Sequence, residues 1–201
     1  MEEEVNEEYY LGMDIGTGST KAVAVSKEGK PLQEVQFFYD TKISTEGYSE
    51  QDPENIWDAL IKCIREIVSK LNRVPNTVSF SSAMHSLIIV DKNNAAITPL
   101  ITWADSRSEK IAEELRESDQ AKKIYKDTGT PIHSMTPLCK IKWFQKNEPA
   151  TFEKAFKFIS IKEFIWFRLF NVYEIDMSIA SATGLFNIKN FEWNKPSLKF
   201  C

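Results

Sequence analysis

The sequence is poor in the residues that mark specialised chains. It holds only seven glycines and eight prolines in 201 residues, which excludes collagen-like and low-complexity classes. Cysteine is scarce: Cys63, Cys139 and Cys201 are odd in number, far apart and never in a CxxC pair. A disulfide framework or a zinc site is therefore not expected, and reduced thiols in a cytoplasmic setting fit best. An excess of one charge is also missing. Lys plus Arg is 25 and Asp plus Glu is 29, a net charge of -4, which argues against a nucleic-acid partner. Long hydrophobic runs are absent. The most apolar late stretch, 158–170, is broken by Lys162, Glu163 and Arg168, too short and too charged to span a bilayer, so no membrane partner is expected.

What is present is ordinary: 42% hydrophobic and 27% charged residues, as in globular domains. Such a length fits one or two domains of about 100–200 residues and can bury roughly 70% of the unfolded surface. Residues 1–8 hold five glutamates, the opposite of a signal peptide's basic start. They are expected to be a flexible acidic tail ahead of one domain over 9–201.

Alternation and β-branching predict strands over 9–15, 20–25 and 32–39, joined by short turns into an antiparallel meander. Asp52 and Pro53 announce a helix as N-cap and first helical residue, and Ile56, Leu60, Ile64, Ile67 and Leu71 follow at helical spacing. Strands are expected at 77–81 and 87–90, with a short extended piece at 99–103. Ser106 and Glu109 have capping-box spacing, predicting a helix to about Glu117. Further helices are expected near 119–127, 138–147 and 161–170, and short strands at 156–159 and 185–188. A meander followed by alternating helices and strands implies an α/β chain: a mixed sheet with antiparallel hairpins, flanked by helices. The short first crossovers exclude an all-parallel doubly wound sheet.

The first chemical signal is the turn Gly16-Thr17-Gly18-Ser19, with Asp14 before it and Thr20 and Lys21 after it. Small residues let a backbone approach a ligand, and turn amides can point at phosphate oxygens. Asp14, at a strand end, could hold a hydrated magnesium ion. The Walker pattern fails in every register, and the Rossmann pattern fails because a strand rather than a helix follows. The competing reading is a hairpin that needs glycine only for a positive φ.

Polar groups also gather at later strand ends. Met84 and His85 follow the 77–81 strand, suiting a small polar ligand with an apolar back wall, or else a core methionine and a satisfied histidine. In 102–108, Trp103 offers a flat face for a carbon skeleton, Asp105 an acceptor for hydroxyls, and Arg107 a partner for Asp105 or for a carboxylate. The plainer reading makes Ser106 a helix cap, Asp105 a dipole partner and Trp103 core. His133 lies in a stiff loop rich in Pro and Gly, as a surface residue or a ligand-facing one.

Together these residues resemble a known family. Asp14-Ile15-Gly16-Thr17 with Ser19-Thr20-Lys21 is similar to the first phosphate motif of the actin/Hsp70/hexokinase-like (ribonuclease H-like) fold. Trp103-Ala104-Asp105-Ser106-Arg107-Ser108, then Thr128-Gly129 with Pro131, then Lys140-Ile141-Lys142-Trp143, resemble successive motifs of the FGGY carbohydrate kinases. The segments 82–87, 129–133 and 178–186 look most like the gluconokinase branch. Met84 and His85 replace the Arg-Glu pair of glycerol kinases and are shared with xylulokinases.

The resemblance implies the N-terminal lobe of a kinase that uses ATP and magnesium to phosphorylate a small-molecule sugar or sugar acid. Gluconate is favoured, a pentulose such as xylulose stays open, and a homodimer of the full-length protein is compatible. Carried over by position, Asp14 organises the metal water, and Gly16, Thr17, Gly18, Ser19, Thr20 and Lys21 face the phosphates. Met84, His85, Trp103, Asp105, Arg107 and His133 shape the substrate pocket. The family's base is an Asp in a later Gly-Asp pair, and no Gly-Asp pair occurs here. The expectation is a chain truncated before its natural end, inactive alone, with its C-terminal lobe missing. The rivals are a non-catalytic sugar-binding fragment and an actin- or Hsp70-like ATPase.

Overall fold

The structure, a computed structural model, describes residues 8–201. The expected acidic tail, save Glu8, lies outside the described residues. The chain forms two compact units: the first runs up to Asp40 and resumes over Glu54–Ala83, and the second takes Thr41–Pro53 and Met84–Cys201.

In the first unit, β1 (Tyr9–Ile15), β2 (Ser19–Ser26) and β3 (Pro31–Phe38) form the expected antiparallel meander. Two strands of the second unit, β4 (Lys42–Ile43) and β5 (Ser49–Gln51), follow in the chain. The helix α1 (Pro53–Leu71) then leads to β6 (Thr77–Ser82), which pairs parallel with β1 to give the order β3-β2-β1-β6. Period-two alternation places Leu11, Met13, Ile15, Ala22 and Ala24 on one buried face. Ile56, Leu60, Cys63 and Ile67 of α1 are buried, and the Cys63 thiol donates to Thr20 O of β2 at 3.4 Å. Burying each large aliphatic side chain contributes roughly 1.5–3 kcal/mol. The other face carries Gly12 and Asp14, in register with Ser79 and Ser81 of β6. The alternation that fills the core therefore also sends Asp14 to the open side.

In the second unit, β5 pairs antiparallel with β4 on one side and with β8 (Leu100–Ile101) on the other, while β7 (Ile88–Val90) pairs with β9 (Lys157–Ile159). Around them lie α2 (Glu109–Arg116), α3 (Ala121–Thr128), α4 (Pro137–Asn147), α5 (Pro149–Lys154), α6 (Ile161–Phe170), α7 (Met177–Ser181) and α8 (Lys195–Phe200). A last hairpin joins β10 (Phe186–Asn187) to β11 (Glu192–Trp193). Leu87, Ile89, Ile101, Leu138, Ile141 and Phe144 form the heart of the main apolar cluster. No helix among the described residues is long and apolar enough to cross a membrane.

The capping box expected at Ser106 and Glu109 does not form. The N-cap of α2 is Ser108, without a side-chain cap bond. Ser106 Oγ instead donates to Gly47 O, and Ser108 Oγ donates to Ser134 O. Tertiary partners have taken the hydroxyls that the local pattern would use. A capping box does exist at α6, where Ser160 and Glu163 exchange bonds with each other's backbone amides.

Candidate functional site

In the first unit, the β1–β2 connection is built as a narrow turn. The Gly16 amide donates to Ser19 O at 2.9 Å. Tyr39, just after β3, braces the turn twice: its hydroxyl donates to Gly16 O at 2.6 Å and its amide to Gly18 O at 3.2 Å. Burial pushes the Tyr39 hydroxyl up to about 12, so it stays a donor at any working pH. Both glycine carbonyls are thus engaged by Tyr39. Neither Gly16 nor Gly18 has a positive φ, so the reading that the hairpin needs these glycines for a positive φ fails, although a Cβ on Gly16 would sit a tight 3.2 Å from Ser19 O. A Cβ on Gly18 would meet nothing within 4 Å. The fold does not require a glycine there, whereas a close-approaching ligand would.

Asp14 is exposed beside this turn and makes no hydrogen bond or ion pair among the described residues. Among them, no three His, Cys, Asp or Glu side chains cluster to hold a metal by themselves. A single free carboxylate fits magnesium, which takes one or two carboxylates and completes its shell with water and phosphate oxygens. Ser19 Oγ accepts from Gln36 Nε2 at 2.8 Å. Lys21 is on the same open face, paired with Glu34 at 2.7 Å. Thr20 departs from expectation: it is fully buried on the core face, beside Tyr39, so its side chain does not face a phosphate. The alternation that exposes Lys21 turns its neighbour inward.

In the second unit, His85 adopts φ 62°, a left-handed conformation that costs of order 1–3 kcal/mol away from glycine. Its Nδ1 lies 2.7 Å from Ala182 O. A carbonyl can only accept, so Nδ1 carries the proton. Burial foremost, with Lys140 and His133 adding repulsion, lowers the histidine below its ordinary value. The neutral ring therefore keeps Nε2 as a lone-pair acceptor, which suits a hydroxyl donor rather than a carboxylate. Trp103 is 51% exposed and Met84 41% exposed, large apolar surfaces left uncovered. His133 is exposed, and its Nδ1 accepts from Met135 N at 3.1 Å, which leaves Nε2–H as a donor.

Asp105 and Arg107 behave differently from expectation. Asp105 is 1% exposed. Its Oδ1 accepts from Arg107 Nε at 2.9 Å and its Oδ2 from an Arg107 terminal nitrogen at 2.8 Å. Oδ2 also accepts from Ser49 N at 2.7 Å. Arg107 donates further to Glu50 and lies over the rings of Tyr48 and Trp143, at 4.1 and 5.2 Å from their centroids. Each charge is satisfied inside the protein, so neither side chain is offered to a ligand. They fix the loop that carries Trp103.

Sequence reasoning gave Lys140 no part in the site. Lys140 is fully buried, and its Nζ donates to His85 O at 2.6 Å and to Thr102 O at 2.7 Å. Burial pulls it down to about 7, against the opposing pull of Asp105. Only its place in a family-like stretch singled it out, and that stretch gave it no role. Tyr39 had no signal beyond ending a strand.

Residues 9–201 match the FGGY family of carbohydrate kinases, N-terminal domain. The chain is 44% identical to a gluconokinase of Bacillus subtilis over 95% of its own length and 37% of that protein's. It is similar to the crystal structure of a gluconate kinase from Lactobacillus acidophilus, at TM-score 0.93 and 34% identity, over 96% of this chain and 39% of that one. A ligand-bound xylulose kinase from the same organism gives TM-score 0.93 and 35% identity over the same shares. The chain thus spans well under half the length of these relatives.

Proposed function

Because the chain belongs to the FGGY family of carbohydrate kinases and matches its N-terminal domain, we propose that the protein carrying it transfers a phosphoryl group from ATP to gluconate. The observation that carries the choice of sugar is the 44% identity to a gluconokinase across nearly the whole chain. A pentulose is the second reading, supported by the equal structural likeness to a xylulose kinase.

In this reading the braced turn of Gly16, Thr17, Gly18 and Ser19 receives the phosphates. Lys21 is drawn from Glu34 towards them, since an open pair of that kind is worth under about 1 kcal/mol. Asp14 would hold a magnesium ion, whose charge would neutralise that of the phosphates. Trp103 and Met84 shape the wall against the sugar's carbon skeleton. His85 Nε2 accepts from a sugar hydroxyl, and His133 offers a donor. Such chemistry rests on position and charge more than on covalent work by the protein. The base that takes the hydroxyl proton is assigned to none of these residues. Asp176 is excluded from that role because it caps α7 through Ile179 N and pairs with Lys162 at 2.7 Å.

The test is a panel of gluconate, xylulose and glycerol with ATP and magnesium on the full-length protein, scored by ADP release. Gluconate is expected to give the highest kcat/KM. A higher value for xylulose would transfer the assignment to the pentulose, and silence on all three would remove it.

A further inference from the structure

We propose that Lys140 is a positioning residue for the sugar site, clamping the loop of Met84 and His85 to the loop of Thr102 and Trp103. The inference rests on the sugar-site reading above and adds the side chain that sets its geometry. Lys140 reaches from α4 with no exposed surface, and its Nζ donates to one carbonyl from each loop, His85 O and Thr102 O. His85 holds a positive φ, and the carbonyl leaving that residue is the one the lysine grips. The next residue after Thr102 is the exposed Trp103. One amine thus fixes the backbone of both segments whose side chains would touch sugar.

An amide or a trapped water could also bridge two carbonyls, at less desolvation cost than an ammonium. What the ammonium adds is charge. The groups facing it are Asp105 and Arg107 ahead of α2, Cys139 on its own helix, and His85, which feels its charge as well as that of His133. Glu50 of β5 joins through Arg107. With Lys140 protonated, two carboxylates balance two cations; without it, the buried group is one negative charge in excess. Burial brings this lysine to about 7, so the clamp is charge-assisted below that pH and weaker above it. The free amine keeps enough N–H groups for both carbonyls, so the site loosens rather than opens.

The test compares the intact wild-type protein with Lys140→Met, which keeps most of the unbranched side chain and loses both the charge and the donors to His85 O and Thr102 O. At a pH of about 6.5 the variant is expected to raise KM for the sugar at least about tenfold, the scale of charged hydrogen bonds. KM for ATP is expected to stay within about twofold, because the turn is built without Lys140. Wild-type sugar KM is expected to climb between a pH of about 6.5 and about 8.5, and the variant's to stay level. An unchanged sugar KM in the variant, or an equal loss for ATP, overturns the proposal. Should the variant fail to fold, the wild-type profile decides alone, and a flat sugar KM overturns it. If no sugar is turned over, the Trp103 indole N–H resonance still reads the clamp over the same pH range. A step near 7 in wild type that the variant lacks supports the clamp while the kinase reading fails, and the absence of a step overturns the clamp.

Discussion

At the scale of single residues, Asp14 and Asp105 show how surroundings decide what a carboxylate is for. Asp14 ends β1 on the open face with nothing to neutralise it, whereas Asp105 is sealed by Arg107 and the Ser49 amide. Replacing Asp14 by Ala in the full-length protein is therefore expected to lower kcat on the order of 10²–10³-fold, the scale of one preorganised electrostatic group. Sugar affinity, measured by calorimetry, should stay within about twofold, since none of the residues proposed to face the sugar depends on Asp14. A variant with normal turnover would remove Asp14 from the chemistry. Asp14 could be read from the sequence because local alternation alone places it. Asp105 and Arg107 could not, because their partners Tyr48, Ser49 and Glu50 lie more than fifty positions earlier and follow no period. Lys140 was hidden for a related reason. Leu138, Cys139 and Ile141 around it are all buried, and a lysine in such a run reads as the solvated edge of a helix until the two carbonyls are seen.

At the scale of elements, the long regular pieces were legible and the short ones were not. Strict alternation marked β1 and β2, and a sustained helical period marked α1. α5, α7 and α8 run for only five or six residues, too few to show a period. The same capping pattern appears twice and forms once. At α6, Ser160 Oγ accepts from the Glu163 amide and no distant carbonyl competes. Ser160→Ala is expected to cost about 1 kcal/mol, read as a lower urea midpoint. Ser106→Ala should cost the α2 terminus nothing as a cap, since its hydroxyl serves Gly47. An equal loss from both substitutions would contradict this assignment of the caps.

At the scale of the whole molecule, the family fold came from motifs in order, while the electrostatic balance came only from coordinates. Burial has a consequence for global stability. Lys140 is lowered to about 7 when folded, whereas the unfolded chain keeps an ordinary lysine. Between a pH of about 7 and about 8 the unfolded state therefore binds the extra proton, and stability rises with pH. Higher up the sign reverses, because burial holds the thiols of Cys63 and Cys201 at about 11, and their unfolded forms ionise first. Urea melts at the two pH values are expected to show the rise in wild type and its loss in Lys140→Met. A wild-type slope that survives the substitution would assign the effect to another group.

The vacancy beside Gly18 offers a clean experimental handle. A methyl placed there touches no atom of this chain, so Gly18→Ala should leave the melting temperature where it was, within the roughly 0.5 kcal/mol typical of surface changes. If the proposed phosphate turn is right, the harm it does to ATP use should come from collision with the visitor and not with the host. That single hydrogen-for-methyl exchange distinguishes a glycine kept for folding from one kept for company.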